Sequence, residues 1–382
     1  MRVAVISFSA LPDDARVRRQ VQSFIAEGWE VEALVTDGPA DWEGLTVTAA
    51  PIQRRRAGVL RYLWEYAGFF LRALVWVRRL ARRRAVDVVY VNSPPDALSL
   101  ACVPAKRRGV PVVLDVHDPM PELWAAKGRG SGLVFRALAM QERIGARFAD
   151  EVITVHEPMR RLLTGRSPGV SVAVVMNTPE DRSPEPLAHD PDSRLLVFAG
   201  TVAYRYGLDD VVEAMAMCQG EISGLSLRVI GAGEDLSSLI GLAERRGVVL
   251  EPVGRVPWSE VRKRQEGAWA GVNVPKPDAL GELSFSNKVV EWISLGLPVI
   301  ASRTSTLEAY FPPGCLEYVS GGAPESIAEG LIRLHRWSAE DRRARVDAAK
   351  RALEAISWPV QRETLLETVR AAAHRGKTSS SR

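Results

Sequence analysis

The feature that most constrains this chain is an alternation. Short continuous runs of β-branched and apolar residues take turns with longer stretches whose apolar residues recur at helical spacing. VAVISF (3–8), VEALVT (31–36), VDVVYVN (86–92), VPVVLDVHD (110–118), EVITVH (151–156) and VSVAVVMN (170–177) read as strands. RVRRQVQSFIAEG (16–28) sets Val17, Val21, Phe24 and Ile25 on one helical face and stops at Gly28. Further helices are expected near 96–108, 131–149 and 159–165. Strands that are apolar on both sides belong in parallel sheets covered by helices on both faces.

The alternation breaks once. PEDRSPEPLAHDPDS (179–193) holds four prolines and five acids without periodicity, the signature of a linker. The pattern then restarts with RLLVFAG (194–200), LSLRVIG (225–231), VVLEPVG (248–254), AGVNVP (270–275), LPVIAS (297–302) and CLEYV (315–319). Helical patterns lie between these at 208–218, 235–246, 258–266, 287–295 and 306–310, and three more follow at 323–336, 338–355 and 359–373. With 382 residues, the chain is long enough for two ordinary domains. The expected fold class is therefore α/β, with two doubly wound Rossmann-like domains facing across a cleft. The boundaries are 1–178, a linker at 179–193, 194–356, a last helix at 357–374, and a frayed tail at 375–382. In such sheets ligands bind beyond the C-terminal ends of the strands.

Charge excludes some partners. The net charge is only +4, but ten arginines and a single acid, Glu65, lie between Arg54 and Arg84. The plain reading is a surface helix whose Leu63, Phe70, Leu74 and Val77 pack on a sheet. A second is a helix at an anionic membrane surface, with Trp64, Tyr66, Phe69, Phe70 and Trp76 toward the lipid. Nucleic acid is not an expected partner, because no recognition module accompanies the charge. Cys102, Cys218 and Cys315 are far apart with no CxxC, which fits a reducing cytoplasm and no disulfide framework. The five histidines form no metal-ligand pattern. The charged positions Arg61, Glu65 and Arg72 interrupt the most apolar segment, leaving no span for crossing a bilayer.

The stretch SFSNKVVEWISLGLPVIAS (284–302) carries the most chemistry. Ser284, Ser286 and Asn287 are potential N-caps of a helix that ends at Gly296. The free N–H groups of such a helix start bind anions, phosphate above all. Lys288 and Lys276 are nearby cations, and Glu291, one turn in, is an anionic acceptor suited to vicinal ribose hydroxyls. The plainer alternative is a capped helix with a solvated glutamate. His117 ends a strand beside Asp118, where it either orients a sugar hydroxyl or is satisfied by a backbone carbonyl. The only DxD, Asp190-Pro-Asp192, falls in the linker and is read as chance, so no metal is expected.

The segment from Asn287 to Ser302 resembles the nucleotide-sugar signature of family 4 glycosyltransferases, which have the GT-B fold. Other stretches keep that family's order: DDARVRRQVQSFIAEGWEVEALV (13–35), LDVHDPMPE (114–122), VVMNTPE (174–180), FAGTVAYRYGLDDVVEAM (198–215), VIGAGED (229–235) and VGRVPWSEV (253–261). The resemblance implies a retaining enzyme that uses a nucleotide-diphosphate sugar as co-substrate, without metal or other cofactor. It implies donor contacts from Gly200, Glu282, Ser284, Ser286, Asn287 and Glu291, and His117, Arg205 and Lys288 at the reacting centre. Arg16, Asp118, Glu122 and His156 are expected on the acceptor side, the acceptor being a glycan or a lipid-linked molecule. The last helix, after Ser357-Trp358-Pro359, is expected to cross back to the first domain. The chain departs from the pattern in three places. Leu283 stands eight residues before Glu291, where a carboxylate is usual, with Glu282 one residue away. Arg205-Tyr206 precedes Gly207 where a lysine is common, and FSALPDDAR replaces a Gly-Gly loop. A nucleotide-sugar epimerase or hydrolase, or a non-catalytic nucleotide-sugar-binding partner, would share the same fold. The expected place is the cytoplasm, peripheral to the inner membrane face.

Overall fold

A computed structural model describes residues 1–38, 42–50, 52, 59–83, 85–126, 132–178, 186–187, 190 and 192–379. The chain forms two compact units, one made of Met1–Asn177 with Trp358–Arg382, the other of Thr178–Ser357. Most of the expected linker lies outside the described residues, as do Arg54, Arg55, Arg56 and Arg84 of the basic block.

The first unit is built on strands β1 (Arg2–Ser7), β2 (Glu30–Val35), β3 (Leu45–Ala49), β4 (Val88–Asn92), β5 (Val112–Val116), β6 (Glu151–Thr154) and β7 (Val172–Val174). They form one parallel sheet in the order β3-β2-β1-β4-β5-β6-β7. Successive residues of β1 feed opposite faces. Ala4 and Ile6 join a core with Phe69, Trp76 and Leu80 of helix Val59–Arg83. Val3 and Val5 join one with Phe24, Leu365 and Val369, from helices Ala15–Ala26 and Trp358–Ser379. The last helix of the chain thus helps to close the sheet formed by the first strand.

The second unit repeats the plan with β8 (Leu195–Ala199), β9 (Ser226–Ile230), β10 (Val249–Gly254), β11 (Ala270–Asn273), β12 (Val299–Ser302) and β13 (Glu317–Val319). This sheet is also parallel, in the order β10-β9-β8-β11-β12-β13. The strand order reverses between β1 and β4 in the first sheet and between β8 and β11 in the second. Those are the places where parallel α/β sheets open a crevice for ligands.

Several expectations are corrected. β3 is missing from the sequence reading, because LTVTA alternates polar and apolar and lies on the sheet edge with mostly exposed residues. The helix expected near 96–108 is a 3-10 segment, Asp96–Cys102, followed by a short α-helix, Val103–Lys106. The one expected over 258–266 is likewise broken, into Trp258–Val261 and Lys263–Gln265. Helix Trp358–Ser379 runs through residues 375–379, which were expected to be frayed.

The arginine-rich segment folds as helix Val59–Arg83. Val77 is buried, and Phe70 and Leu74 pack against the sheet core; the side chain of Leu63 lies outside the described residues. Tyr66, Phe69 and Trp76 point into that same core, so the orientation that set them toward lipid is wrong. Trp64 alone of that set is fully outside, 81% exposed. Among the described residues no helix is long and apolar enough to cross a membrane.

Candidate functional site

The second unit gathers its polar groups at the C-terminal ends of β8, β9, β11 and β12. Helix Asn287–Ser294 supplies the centre. Its Val289, Val290, Trp292 and Ile293 are buried, and the Trp292 ring lies so close to Gly271 of β11 that a Cβ there would stand 2.2 Å from it. Trp292 Nε1 donates to Gln265 Oε1 at 2.7 Å, which fixes the helix in rotation. The far end closes as a Schellman turn, Leu297 N–H to Trp292 C=O at 2.9 Å and Gly296 N–H to Ile293 C=O at 3.0 Å, with Gly296 at φ 79°. The apolar face is thereby pinned to the sheet. Asn287, Lys288 and Glu291 are left for the other side.

That side lines two adjoining cavities. One, of about 250 Å³, is bounded by Arg205, Tyr206, Asn273, Ser284, Ser286 and Thr304 among others. The other, of about 330 Å³, is bounded by Gly200, Thr201, Gly231, Arg255, Val256 and Glu291 among others. Asn287 and Lys288 belong to both. Ser286 occupies the cap position without bonding the helix N–H groups; its Oγ contacts Asn273 Oδ1 at 3.2 Å instead. The helix start therefore opens toward the cavities without its cap.

Lys288 is a desolvated cation. Its Nζ sits 4.6 Å from the ring centre of Tyr206 and 5.0 Å from that of Phe198. Burial lowers its ammonium pKa, Glu291 draws it back up, and Arg205 lowers it further. Burial pushes the Glu291 carboxyl up to about 7, against the opposing pull of Lys288. Gly200 stands beside them at φ 147°, a backbone conformation that strains any other residue, and a Cβ there would also push aside the Lys288 side chain, whose Cε would lie 2.5 Å away. Arg205 lies against Tyr206, with Nη2 3.9 Å from Asp278, and its Nε is buried without a partner. Two cations with incomplete partnering, an uncapped helix start and a carboxylate one turn along are chemically suited to an anion joined to a polyol.

Some expected residues stand elsewhere. Glu282 is exposed, and its carboxylate accepts from Ser305 N–H at 2.9 Å, beside the two main cavities rather than in them. Lys276 is held by Asp210 at 2.6 Å and Asp209 at 3.0 Å, so it is no spare cation. Arg255, Thr201, Asn273 and Thr304 line the cavities but were not singled out in the sequence. Their one signal was position, each falling at or just after a strand's C-terminal end.

In the first unit, His117 follows β5, with Nε2 3.1 Å from Oδ2 of the fully buried Asp115. Arg16 does not lie at a surface. It is buried, and its Nη2 binds Asp115 Oδ1 at 2.6 Å, while Gln20 and Tyr90 also donate to Asp115 Oδ2. Burial alone would raise the Asp115 carboxyl, but Arg16 and then His117 hold it well below the usual carboxylate range. Asp115 is thus an anionic anchor for the His117 imidazole. Asp118 is exposed beside it. Glu122 is buried and paired with Arg166, which Glu142 shares. His156 is buried as the N-cap of helix Glu157–Arg166, accepting from Met159 N–H at 3.1 Å. Arg16, Glu122 and His156 therefore brace the interior of the first unit, each buried and committed to a partner within it. Among the described residues no cluster of three metal-ligating side chains occurs.

Two family models match the chain. Residues 14–179 match the glycosyl transferase 4-like domain and residues 179–352 match glycosyl transferases group 1. No curated protein matches significantly. Among solved structures, sucrose-phosphate synthase from Thermosynechococcus elongatus is similar at 16% identity and TM-score 0.73, over 97% of this chain and 98% of that one. The α,α-trehalose 6-phosphate synthase from Burkholderia multivorans is similar at 15% identity and TM-score 0.73, over 99% and 98%. Anabaena Alr3699/HepE in complex with UDP-glucose is similar at 13% identity and TM-score 0.65, over 97% and 100%. These likenesses establish the GT-B fold.

Proposed function

Because the chain is a GT-B glycosyltransferase built from a glycosyl transferase 4-like domain and a group 1 domain, we propose that it moves a sugar from a nucleotide-diphosphate donor to an acceptor hydroxyl with retention at the anomeric carbon, as family 4 enzymes do. The observation that carries this reading is the convergence of Lys288, Arg205 and the uncapped start of helix Asn287–Ser294 on adjoining cavities, with Glu291 one turn further. The diphosphate takes the cations and the helix N–H groups, and Glu291 accepts from the ribose hydroxyls. The anomeric carbon–phosphate oxygen bond breaks as the bond to the acceptor oxygen forms on the same face. The acceptor proton passes to the leaving phosphate. Negative charge grows on that phosphate, where Lys288 and Arg205 stabilise it. This neutralisation is our reason to expect turnover without a divalent metal.

We assign the acceptor, a glycan or lipid-linked molecule, to the first unit, in which Asp115 lies beside the His117 imidazole. We place the reaction in the cytoplasm, where the three free cysteines stay reduced. Since a similar structure holds UDP-glucose, that donor is tested first, with a cell-envelope extract as acceptor source and the anomeric configuration of the product read by NMR. A transferred sugar in the donor's own configuration is expected. Inversion would overturn retention, and loss of donor without transfer to acceptor would favour a hydrolase or epimerase. Binding without turnover would leave a non-catalytic partner.

Glu291 also sets a pH dependence. Its carboxyl lies at about 7 instead of the ordinary 4.5, so burying it charged weakens the unliganded protein. The stability that this group contributes is complete below pH 4.5 and is lost as pH rises through about 7. Ribose hydroxyls donating to the carboxylate favour its charged form. Affinity for a nucleotide sugar should therefore rise between about pH 5 and pH 8 and level off above. Calorimetric titration across that range checks this. A flat profile for the wild type, or the same rise in Glu291→Gln, would exclude the ribose contact.

A further inference from the structure

Two helices of the first unit present an unusual outer face. Helix Val59–Arg83 buries Tyr66, Phe69, Trp76 and Leu80 but leaves Trp64, Leu71 and Val75 outside, together with Arg72, Arg78, Arg79, Arg82 and Arg83. Residues 64, 71, 75, 78 and 82 follow helical spacing along one stripe, apolar at its start and basic at its end. Helix Leu133–Phe148 does the same on a smaller scale. It buries Glu142, Gly145 and Ala146 and exposes Leu133, Met140 and Ile144 beside Arg136, Arg143 and Arg147. Leu133 is 83% exposed and Met140 54%.

Both helices pack against the segment Asp96–Cys102 and feed the same core, so both cover the same face of the sheet. Each helix contains one acid, Glu65 in the first and Glu142 in the second, and both are buried against an arginine. The outward faces therefore combine large apolar side chains with positive charge and carry no carboxylate. A partner for such a face is itself anionic at its surface and apolar just beneath.

We propose that these two helices together dock the first unit on an anionic lipid bilayer, with Trp64, Leu71, Leu133, Met140 and Ile144 entering the headgroup boundary and the arginines meeting lipid phosphates. Two separate amphipathic faces give a broad, reversible attachment, and the charge selects anionic over neutral lipid. The surface lies wholly in the first unit. It does not depend on the donor reading, and either can fail without the other.

Flotation of the full chain with vesicles tests this, using phosphatidylcholine alone and phosphatidylcholine with phosphatidylglycerol. Binding is expected only to the anionic vesicles and should weaken as salt rises. Arg136→Glu/Arg143→Glu/Arg147→Glu should weaken it by roughly a hundredfold or more, since each interfacial arginine contributes about a factor of five. All three side chains are exposed, and unchanged far-UV circular dichroism and thermal midpoint confirm that the variant folds. Because Cys102, Cys218 and Cys315 are buried, Met140→Cys takes a polarity-sensitive dye selectively, and its emission should shift to the blue on anionic vesicles. Unaltered binding in the triple variant would remove the second helix from the surface. Bound protein with an unshifted dye would exclude insertion. Stronger capture by soluble polyaspartate than by vesicles would assign the face to an acidic macromolecule instead, and no vesicle binding would overturn the proposal outright.

Discussion

Lys288→Met is expected to lower kcat by about two to three orders of magnitude, the usual loss when one preorganised group stabilising developing negative charge is removed. The same substitution should leave the thermal midpoint unchanged or raise it. The ammonium is desolvated between Phe198 and Tyr206, and burial already disfavours its charged form. A neutral side chain of similar length removes that burden and keeps the packing. Lost activity with retained or gained stability separates a working cation from a merely structural one. Single-turnover kinetics and thermal unfolding on the same preparation read both quantities. A rate within about tenfold of wild type would place Lys288 away from the leaving phosphate.

Gly231→Ala is expected to have the largest effect on the architecture. Gly231 follows β9 at φ 149°, and a Cβ on it would fall 1.9 Å from the carbonyl oxygen of Gly200. The obstacle is backbone, so no side chain can rotate out of the way; the ends of β8 and β9 must part. Gly200 also lines the cavity, and its own amide donates to Ile230 C=O at 2.9 Å. A loss of about 3 kcal/mol or more is expected, together with loss of nucleotide binding. Urea unfolding measures the first quantity. A cost below about 1 kcal/mol would mean that the close approach of the two strand ends is dispensable.

The strands and the repeat of the plan were legible because buried parallel strands need continuous apolar runs, as in VVYVN of β4 and LLVFA of β8. β3 was not, since an edge strand with one exposed side resembles a loop. The short helices Met120–Trp124 and Ala279–Glu282 were missed because a single turn carries no period. At the site, helix Asn287–Ser294 could be read from its cap-like start, its Gly296 stop and its isolated Glu291. The commitments of charged residues could not. Nothing local in the sequence shows that Lys276 faces Asp209 and Asp210, that Arg16 reaches Asp115 across 99 positions, or that Glu122 meets Arg166. Those pairings arise only when distant strand ends meet, and they decide which charges remain available to a ligand. The same holds for the aromatics of the arginine-rich helix. Helical spacing puts Tyr66, Phe69 and Trp76 on one face, but only the packed sheet shows that this face is the inner one.

In the proposed function, Glu291 and the start of its helix hold the nucleotide of a sugar donor. The most direct test is a thermal-shift titration of UDP, GDP, dTDP, ADP and CDP against the wild type and Glu291→Gln. One nucleotide is expected to stabilise the wild type, by about 2.7 kcal/mol at a hundred times its dissociation constant, and the shift should largely disappear in the variant. Equal shifts in both proteins, or no shift with any of the nucleotides, would contradict it.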